Sequence, residues 1–231
     1  MCKISRMERY IRNENMLSPD ENLQLRDFRV AVVGCGGLGG HILEMLARLG
    51  IGHITAIDGD VFEASNLNRQ LLSRPDNLGQ PKAPEARKHI ERINPDVKVT
   101  VRHLRLIPEN AVEILKGHDI ICDALDNVSS RRTLQQAAEA LSIPMVFAAI
   151  AGWYAQVTTI MPGDRTLDKL FPEGVEKGME TQLGNPSFTP ALAASIQVAE
   201  ALKVLLKKEG ILQNKLLTIN LLDQTYEVID L

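Results

Sequence analysis

Short apolar runs alternate with longer stretches whose apolar residues recur every three to four positions, and this repeats from residue 29 to about residue 150. Arg29–Val33 is a compact strand-like run that stops at Gly34. Behind it Ile42, Leu43, Leu46 and Leu49 fall on one side of a helix that Gly50 ends. Ile54–Ile57 reads as the next strand, closed by Asp58-Gly59-Asp60. Ala83–Ile93 reads as a helix, Val97–Val101 as a strand, Pro108–Leu115 as a helix and Ile120–Cys122 as a strand. Ser130–Leu141 and Pro144–Ile150 add one more helix and strand. Strands separated by helices predict a parallel sheet wound on both faces, because right-handed crossovers bring every strand C-terminus to one edge.

The pattern changes after Gly152. Gln156–Met161 reads as a strand with no helix directly behind it, and Pro162–Phe188, rich in Gly, Pro and charge, predicts a long irregular crossover. Thr189–Leu206 is a strong helix, and Leu216–Leu221 and Glu227–Leu231 are terminal strands. Residues 1–27 form a polar, helical lead-in. The expected fold is α/β: a Rossmann-like, doubly wound, mostly parallel sheet with a C-terminal antiparallel extension.

Composition narrows the classes. The 231 residues, 45% hydrophobic and 24% charged, suit one globular α/β domain that needs no staple. A net charge of −3 argues against general nucleic-acid binding. The lead-in arginines Arg6, Arg9 and Arg12 form a local basic cluster that could meet phosphates at one site. Cys2, Cys35 and Cys122 are too scattered for a disulfide framework or a zinc pair, which fits a reducing cytoplasm. No signal peptide is expected, and no apolar run is expected to reach membrane-span length.

The candidate chemistry begins with Gly34-Cys35-Gly36-Gly37-Leu38-Gly39, placed after a strand and before a helix. Glycines let the backbone approach a phosphate, and the helix N-terminus offers N–H donors. Asp58 ends the next strand, where a ribose-binding carboxylate belongs. The loop alone does not separate a nicotinamide enzyme from an ATP enzyme. Arg69, in Asn66-Leu67-Asn68-Arg69-Gln70, and Lys82, after Gln80-Pro81, favour ATP. Phosphoryl or nucleotidyl transfer needs fixed positive charge at the phosphate oxygens, and hydride transfer does not. Asp126 of Asp123-Ala124-Leu125-Asp126-Asn127 stands at a strand end where a carboxylate could hold Mg²⁺. Asn127 suits either a place beside the nucleotide or an N-cap of the next helix.

Gly36-Gly37-Leu38-Gly39, Asp58, Asn66 to Gln70, Gly79-Gln80-Pro81-Lys82 and Asp126-Asn127, in this order and spacing, resemble the ThiF/MoeB/HesA family, bacterial relatives of ubiquitin-activating enzymes. Arg9-Tyr10-Ile11-Arg12 is similar to that family's N-terminal arginine motif, and the likeness runs from about Arg9 to at least Leu206. The resemblance implies that Gly36, Gly37 and Gly39 cradle ATP and that Asp58, with Asp60 beside it, takes the ribose side. It implies that Asn66, Arg69 and Lys82 hold the phosphates, that Asp126 binds Mg²⁺ and that Asn127 lies beside the nucleotide. It also implies a homodimer in which Arg12 reaches the partner's phosphates. The activity it implies is adenylation of the C-terminal glycine carboxylate of a small ubiquitin-like carrier ending in Gly-Gly, on a single domain. Residues 1–27 would be its arm, 28–150 its nucleotide-binding core and 151–231 its crossover, helix and terminal strands.

Many members of that family carry two C-x-x-C pairs for structural zinc. Thr166–Lys169, where the first would fall, and Leu221–Leu231, near the second, contain no cysteine, so no structural zinc is expected. No cysteine follows Cys122, so adenylation without a covalent cysteine step is expected. Three alternatives stay open: adenylation of another carboxylate (peptide, amino acid or tRNA-linked), a nicotinamide-dependent oxidoreductase, and a nucleotide-binding scaffold without catalysis.

Overall fold

The computed structural model describes residues 6–172, 174 and 180–231, with the side chains of residues 6, 7, 180 and 181 left aside. Its centre is an eight-stranded sheet in the order β3-β2-β1-β4-β5-β6-β7-β8. The strands are β1 (Arg29–Val33), β2 (His53–Ile57), β3 (Lys98–Arg102), β4 (Ile120–Asp123), β5 (Met145–Ala151), β6 (Tyr154–Ile160), β7 (Lys215–Asn220) and β8 (Thr225–Asp230). From β3 to β5 all pairs are parallel, and from β5 to β8 all are antiparallel. The α/β fold expected from the alternation is the one observed, antiparallel extension included.

The helices are α1 (Arg6–Tyr10), α2 (Pro19–Gln24), α3 (Gly37–Leu49), α4 (Lys82–Ile93), α5 (Pro108–Leu115), α6 (Val128–Leu141), α7 (Thr166–Leu170), α8 (Glu180–Leu183) and α9 (Phe188–Leu205). Side chains alternate along a strand, so each strand feeds two cores. Val30, Val32, Ile54 and Val146 face α3, α4 and α9. Ala31, Val33, Ile57, Met145 and Phe147 face α5, α6 and α7. This double burial is why β1, β2 and β4 read as continuous apolar runs.

Two expectations change and one is filled in. The crossover after β6 is not wholly irregular: it contains α7 and α8, although residues 173 and 175–179 lie outside the described ones. α7 is fastened to α6, where the Gln135 amide oxygen accepts from Leu167 N at 2.9 Å and Arg132 bonds the carbonyls of Phe171 and Pro172. Among its described residues the lead-in is helical as expected, as two short α-helices joined to 3-10 turns. Ser18 caps α2 in a reciprocal box with Glu21. Finally, α9 is long and apolar enough by length and composition to cross a membrane, against the expectation that no run would be. It is half buried and packs between α3 and strands β4–β6, which accounts for apolar residues around most of its circumference.

Candidate functional site

β1 pairs with β2 on one side and β4 on the other, so the direction of winding reverses at β1. In an open α/β sheet the crevice at the C-terminal ends of strands flanking such a point is the ligand site. The loops after β1, β2 and β4 meet there.

The loop after β1 contains two kinds of glycine. Gly34 has φ +100°, and a Cβ on it would fall 2.4 Å from the carbonyl oxygen of Ala124. A Cβ on Gly39 would fall 1.8 Å from the carbonyl oxygen of Gly34. These two are glycine because one backbone packs on another. Gly36 and Gly37 differ: a Cβ on them would meet its first neighbours only at 3.4 Å, the Gln70 amide, and at 3.5 Å, Pro190. Packing tolerates a side chain there, and its absence leaves an open cradle over the N-terminus of α3, where unpaired N–H groups face outward. That cradle fits a nucleotide phosphate group.

The acids after β2 tie the loop to its surroundings. Asp58 is partly buried; its Oδ2 accepts from Cys35 N and its Oδ1 from Asp60 N, each at 2.7 Å. Burial raises the Asp58 carboxyl above its ordinary range, opposed by those two donors and by Lys82. Asp60 pairs with Lys82 at 3.7 Å and with Arg105 at 3.2 Å. Lys82, the first residue of α4, is 8% exposed. A buried ammonium whose described partner is a looser, half-exposed carboxylate is suited to a second anion. Arg69 borders the cradle: its Cγ lies 3.9 Å from where a Gly37 Cβ would stand. Its Nη1 donates to Ser65 O and to Asn68 Oδ1, which fixes one side of the guanidinium fork.

The two asparagines predicted to reach the nucleotide serve the main chain. Buried Asn66 accepts from Glu63 N at 3.1 Å through its Oδ1, capping the 3-10 turn Ala64–Asn66. Asn127 accepts from Ser130 N at 2.8 Å and is the N-cap of α6. Asp126 is exposed, with Oδ1 accepting from Asn127 Nδ2 at 3.2 Å. Its turn lies against the glycine loop through Ala124. Among the described residues no three His, Cys, Asp or Glu side chains cluster to hold a metal. A carboxylate beside a phosphate cradle is nevertheless the donor set that Mg²⁺ takes, since it keeps waters and draws its other ligands from the triphosphate. Asp126 therefore fits that ion.

Arg12 is not brought to this edge. It is exposed in the 3-10 turn Ile11–Asn13. Tyr10 packs on Gly50, the C-cap of α3, where a Cβ would stand 2.7 Å from the ring. The arm therefore sits at the far end of a 13-residue helix, roughly 20 Å from the cradle. Arg9 donates to the carbonyl of Ile93 at the end of α4, and the side chain of Arg6 lies outside the described residues.

Both described cysteines are fully buried. Burial, with Asp58 beside it, pushes the Cys35 thiol well above its ordinary range. Burial pushes the Cys122 thiol up to about 12. Neither is a thiolate near neutral pH. Cys2 lies outside the described residues.

Sequence reasoning missed three residues. Asp123, the last of β4, is fully buried, and burial raises its carboxyl to about 6 against the pull of Arg131. Arg131 of α6 bonds the carbonyls of Leu125 and Ala148, and Gln197 of α9 bonds those of Asp123 and Val146. A signal did exist for the first two: an acid at the end of an apolar strand, with an arginine in the first turns of the helix that follows.

The ThiF family model matches residues 9–231. The chain is 35% identical over 230 residues to the SAMP-activating enzyme E1 of Haloferax volcanii, covering 97% of this chain and 85% of that protein. It is 37% identical over 199 residues to the sulfur carrier protein adenylyltransferase of Thermus thermophilus, covering 82% and 73%. The structure matches that of the E. coli tRNA N6-threonylcarbamoyladenosine dehydratase TcdA in complex with ATP. That match has a TM-score of 0.75 and 25% identity and covers 89% of this chain and 98% of that one.

Proposed function

This chain belongs to the ThiF family and is an adenylyltransferase of the ubiquitin-activating type, and we propose that its substrate is the C-terminal glycine carboxylate of a small ubiquitin-like sulfur carrier. The observation that carries the reading is the open cradle at Gly36 and Gly37, flanked by Arg69 and the poorly paired, buried Lys82. Hydride transfer would leave both cations without a task.

In the proposed reaction a carboxylate oxygen of the carrier attacks the α-phosphorus of ATP. The bond from that phosphorus to the bridging oxygen breaks, and pyrophosphate leaves with the electron pair. Arg69 and Lys82 oppose the charge that builds on the phosphate oxygens, while α3 receives the triphosphate at its N-terminus. Asp58 holds the glycine loop through Cys35 N and faces the ribose side, with Asp60 keeping Lys82 on the edge. Asp126 would hold Mg²⁺, which supplies further charge neutralisation when bound. No step requires a thiol, in keeping with two buried, protonated cysteines in a reducing cytoplasm.

The position of the arm supports a homodimer with shared sites: Arg12 is too far from its own cradle to serve it, so a partner's cradle is its target. Adenylation of a tRNA-linked carboxylate is the second reading, favoured by the likeness to TcdA. ATP–pyrophosphate exchange separates the two. Exchange that needs a carrier with an intact terminal Gly-Gly supports the first reading, and exchange driven by tRNA alone overturns it. The shared site has its own test. Arg12→Ala and Asp126→Ala should each be nearly inactive. With free subunit exchange about half the dimers are mixed, each with one intact site of two, so about a quarter of wild-type activity returns. A mixture as inactive as its parents, with exchange verified by mass spectrometry, removes the shared site.

A further inference from the structure

A buried ion pair behind the glycine loop has a bonding pattern that its contribution to stability does not explain. The Oδ1 of Asp123 accepts from Leu125 N at 2.9 Å. The Nη2 of Arg131 donates to Leu125 O at 2.6 Å and to Ala148 O at 3.1 Å. Both backbone groups of Leu125 are thereby held, one from β4 and one from α6. Asp126 comes next, and Asn127 is fixed in turn as the N-cap of α6. The exposed carboxylate of Asp126 is thus suspended between two immobilised residues.

The pair itself is poorly closed. Asp123 Oδ2 and Arg131 Nε are 3.5 Å apart, and both are buried without a hydrogen bond. Desolvating two charges is costly, and well-packed apolar residues often do as well or better in such a place. The directional bonds that are made go to the turn before Asp126 and to the neighbouring strand. Gln197 adds a third anchor by donating to Asp123 O at 2.8 Å and Val146 O at 3.0 Å. Phe147 lies under the guanidinium, whose Cζ is 4.9 Å from the ring centroid, which suits a flat cation with a rigid fork.

We propose that Arg131 and Asp123 are positioning residues that set the Asp126 carboxylate at the phosphate cradle, and through it the metal-dependent part of nucleotide binding. The proposal rests on Asp126 as the metal-holding carboxylate. Residues that orient a ligand from behind typically carry about 10- to 100-fold of metal affinity.

The test is calorimetric binding of α,β-methylene-ATP, which cannot react, to the full chain with Mn²⁺ and with EDTA. Arg131→Lys keeps the charge but loses the fork. The metal-dependent gain in affinity should fall about 10-fold, while metal-free affinity stays at its wild-type value. Asp126→Ala should lose that gain, and adding Arg131→Lys to it should cost nothing more, since one acts through the other. If Arg131→Lys does not fold, Asp123→Asn takes its place. It keeps the acceptor for Leu125 N but faces Arg131 with an amide, and should lower the gain in the same way. Equal losses with and without metal, an undiminished gain, or a further loss on the Asp126→Ala background overturns the positioning role. A full metal-dependent gain in Asp126→Ala alone overturns instead the reading of Asp126.

Discussion

The two ends of the sheet are built to different tolerances. β1 and β2, around the cradle, are buried on both faces apart from their first residues and β4 throughout, and the loops behind them touch backbone to backbone. β8, at the opposite edge, is exposed at all six positions, and a Cβ on Gly210 just before β7 would meet nothing within 4 Å. The difference fits what the proposed function asks of each region. Binding a triphosphate with main-chain N–H groups requires an immobile main chain, and contact between two backbones gives that. An edge strand needs only one ladder to exist.

The sharpest attempt to break this comparison is Gly39→Ala. Its new methyl would meet the Gly34 carbonyl, which cannot rotate aside as a side chain can. The variant should either fail to fold or lose ATP affinity by more than about 100-fold, as read by calorimetry. Gly210→Ala, with open space but φ +74°, should cost about 1 kcal/mol in urea denaturation. Similar behaviour of the two would dissolve the distinction.

Next in size are Arg69→Ala and Lys82→Ala. Each should lower ATP–pyrophosphate exchange about 100-fold or more with the fold retained, the scale of losing charge stabilisation at a reacting phosphate. Wild-type exchange in either would return that residue to an ordinary surface or helix-end role.

A smaller effect concerns pH. The folded-state pKa of Asp123 is raised to about 6 by burial, so between its ordinary range near 4 and about 6 the folded state binds more protons than the unfolded. This group therefore contributes stability at low pH that is lost as the pH rises through that window. Asp123→Asn should gain on wild type by roughly 1 to 3 kcal/mol between pH 4 and pH 7 in urea denaturation. A pH-independent difference would show that Arg131 offsets the burial fully.

The smallest effect belongs to the edge. Val228→Thr on β8 should change stability by no more than about 0.5 kcal/mol, because the side chain is exposed in the folded state as in the unfolded. A drop of several kcal/mol would reveal that this face is covered.

The strands, the long helices and the glycine loop were legible because they depend on residues close in sequence: period two, period three to four, and a turn between them. Asp58 and Asp126 were legible as carboxylates at strand ends. The crossover helices α7 and α8 were not, since each is too short to show a period and α7 is held mainly by bonds from α6. Asn127 carried two meanings in the sequence, ligand or cap, whereas Asn66 was read only as a ligand. The described bonds of both are those of caps, which for Asn127 the sequence allowed but could not select.

By itself, then, the sequence determined the winding of the parallel half, the placing of an open glycine loop at the end of β1, and the acids and cations that follow it in chain order. Local sterics and helical or strand periodicity carry that information, and both act over a few residues. Tertiary structure alone decided that Gly34 is pressed on backbone while Gly36 and Gly37 stay open, because that depends on Ala124 arriving from 90 residues further along. It decided that Arg12 lies at the far end of α3, because Tyr10 fills the space above Gly50. It decided that Asp123 and Arg131 close over Leu125, because the chain turns back from β4 into α6 at that point. The identity of a hydrogen-bond partner depends on where the chain returns, and no local period records that.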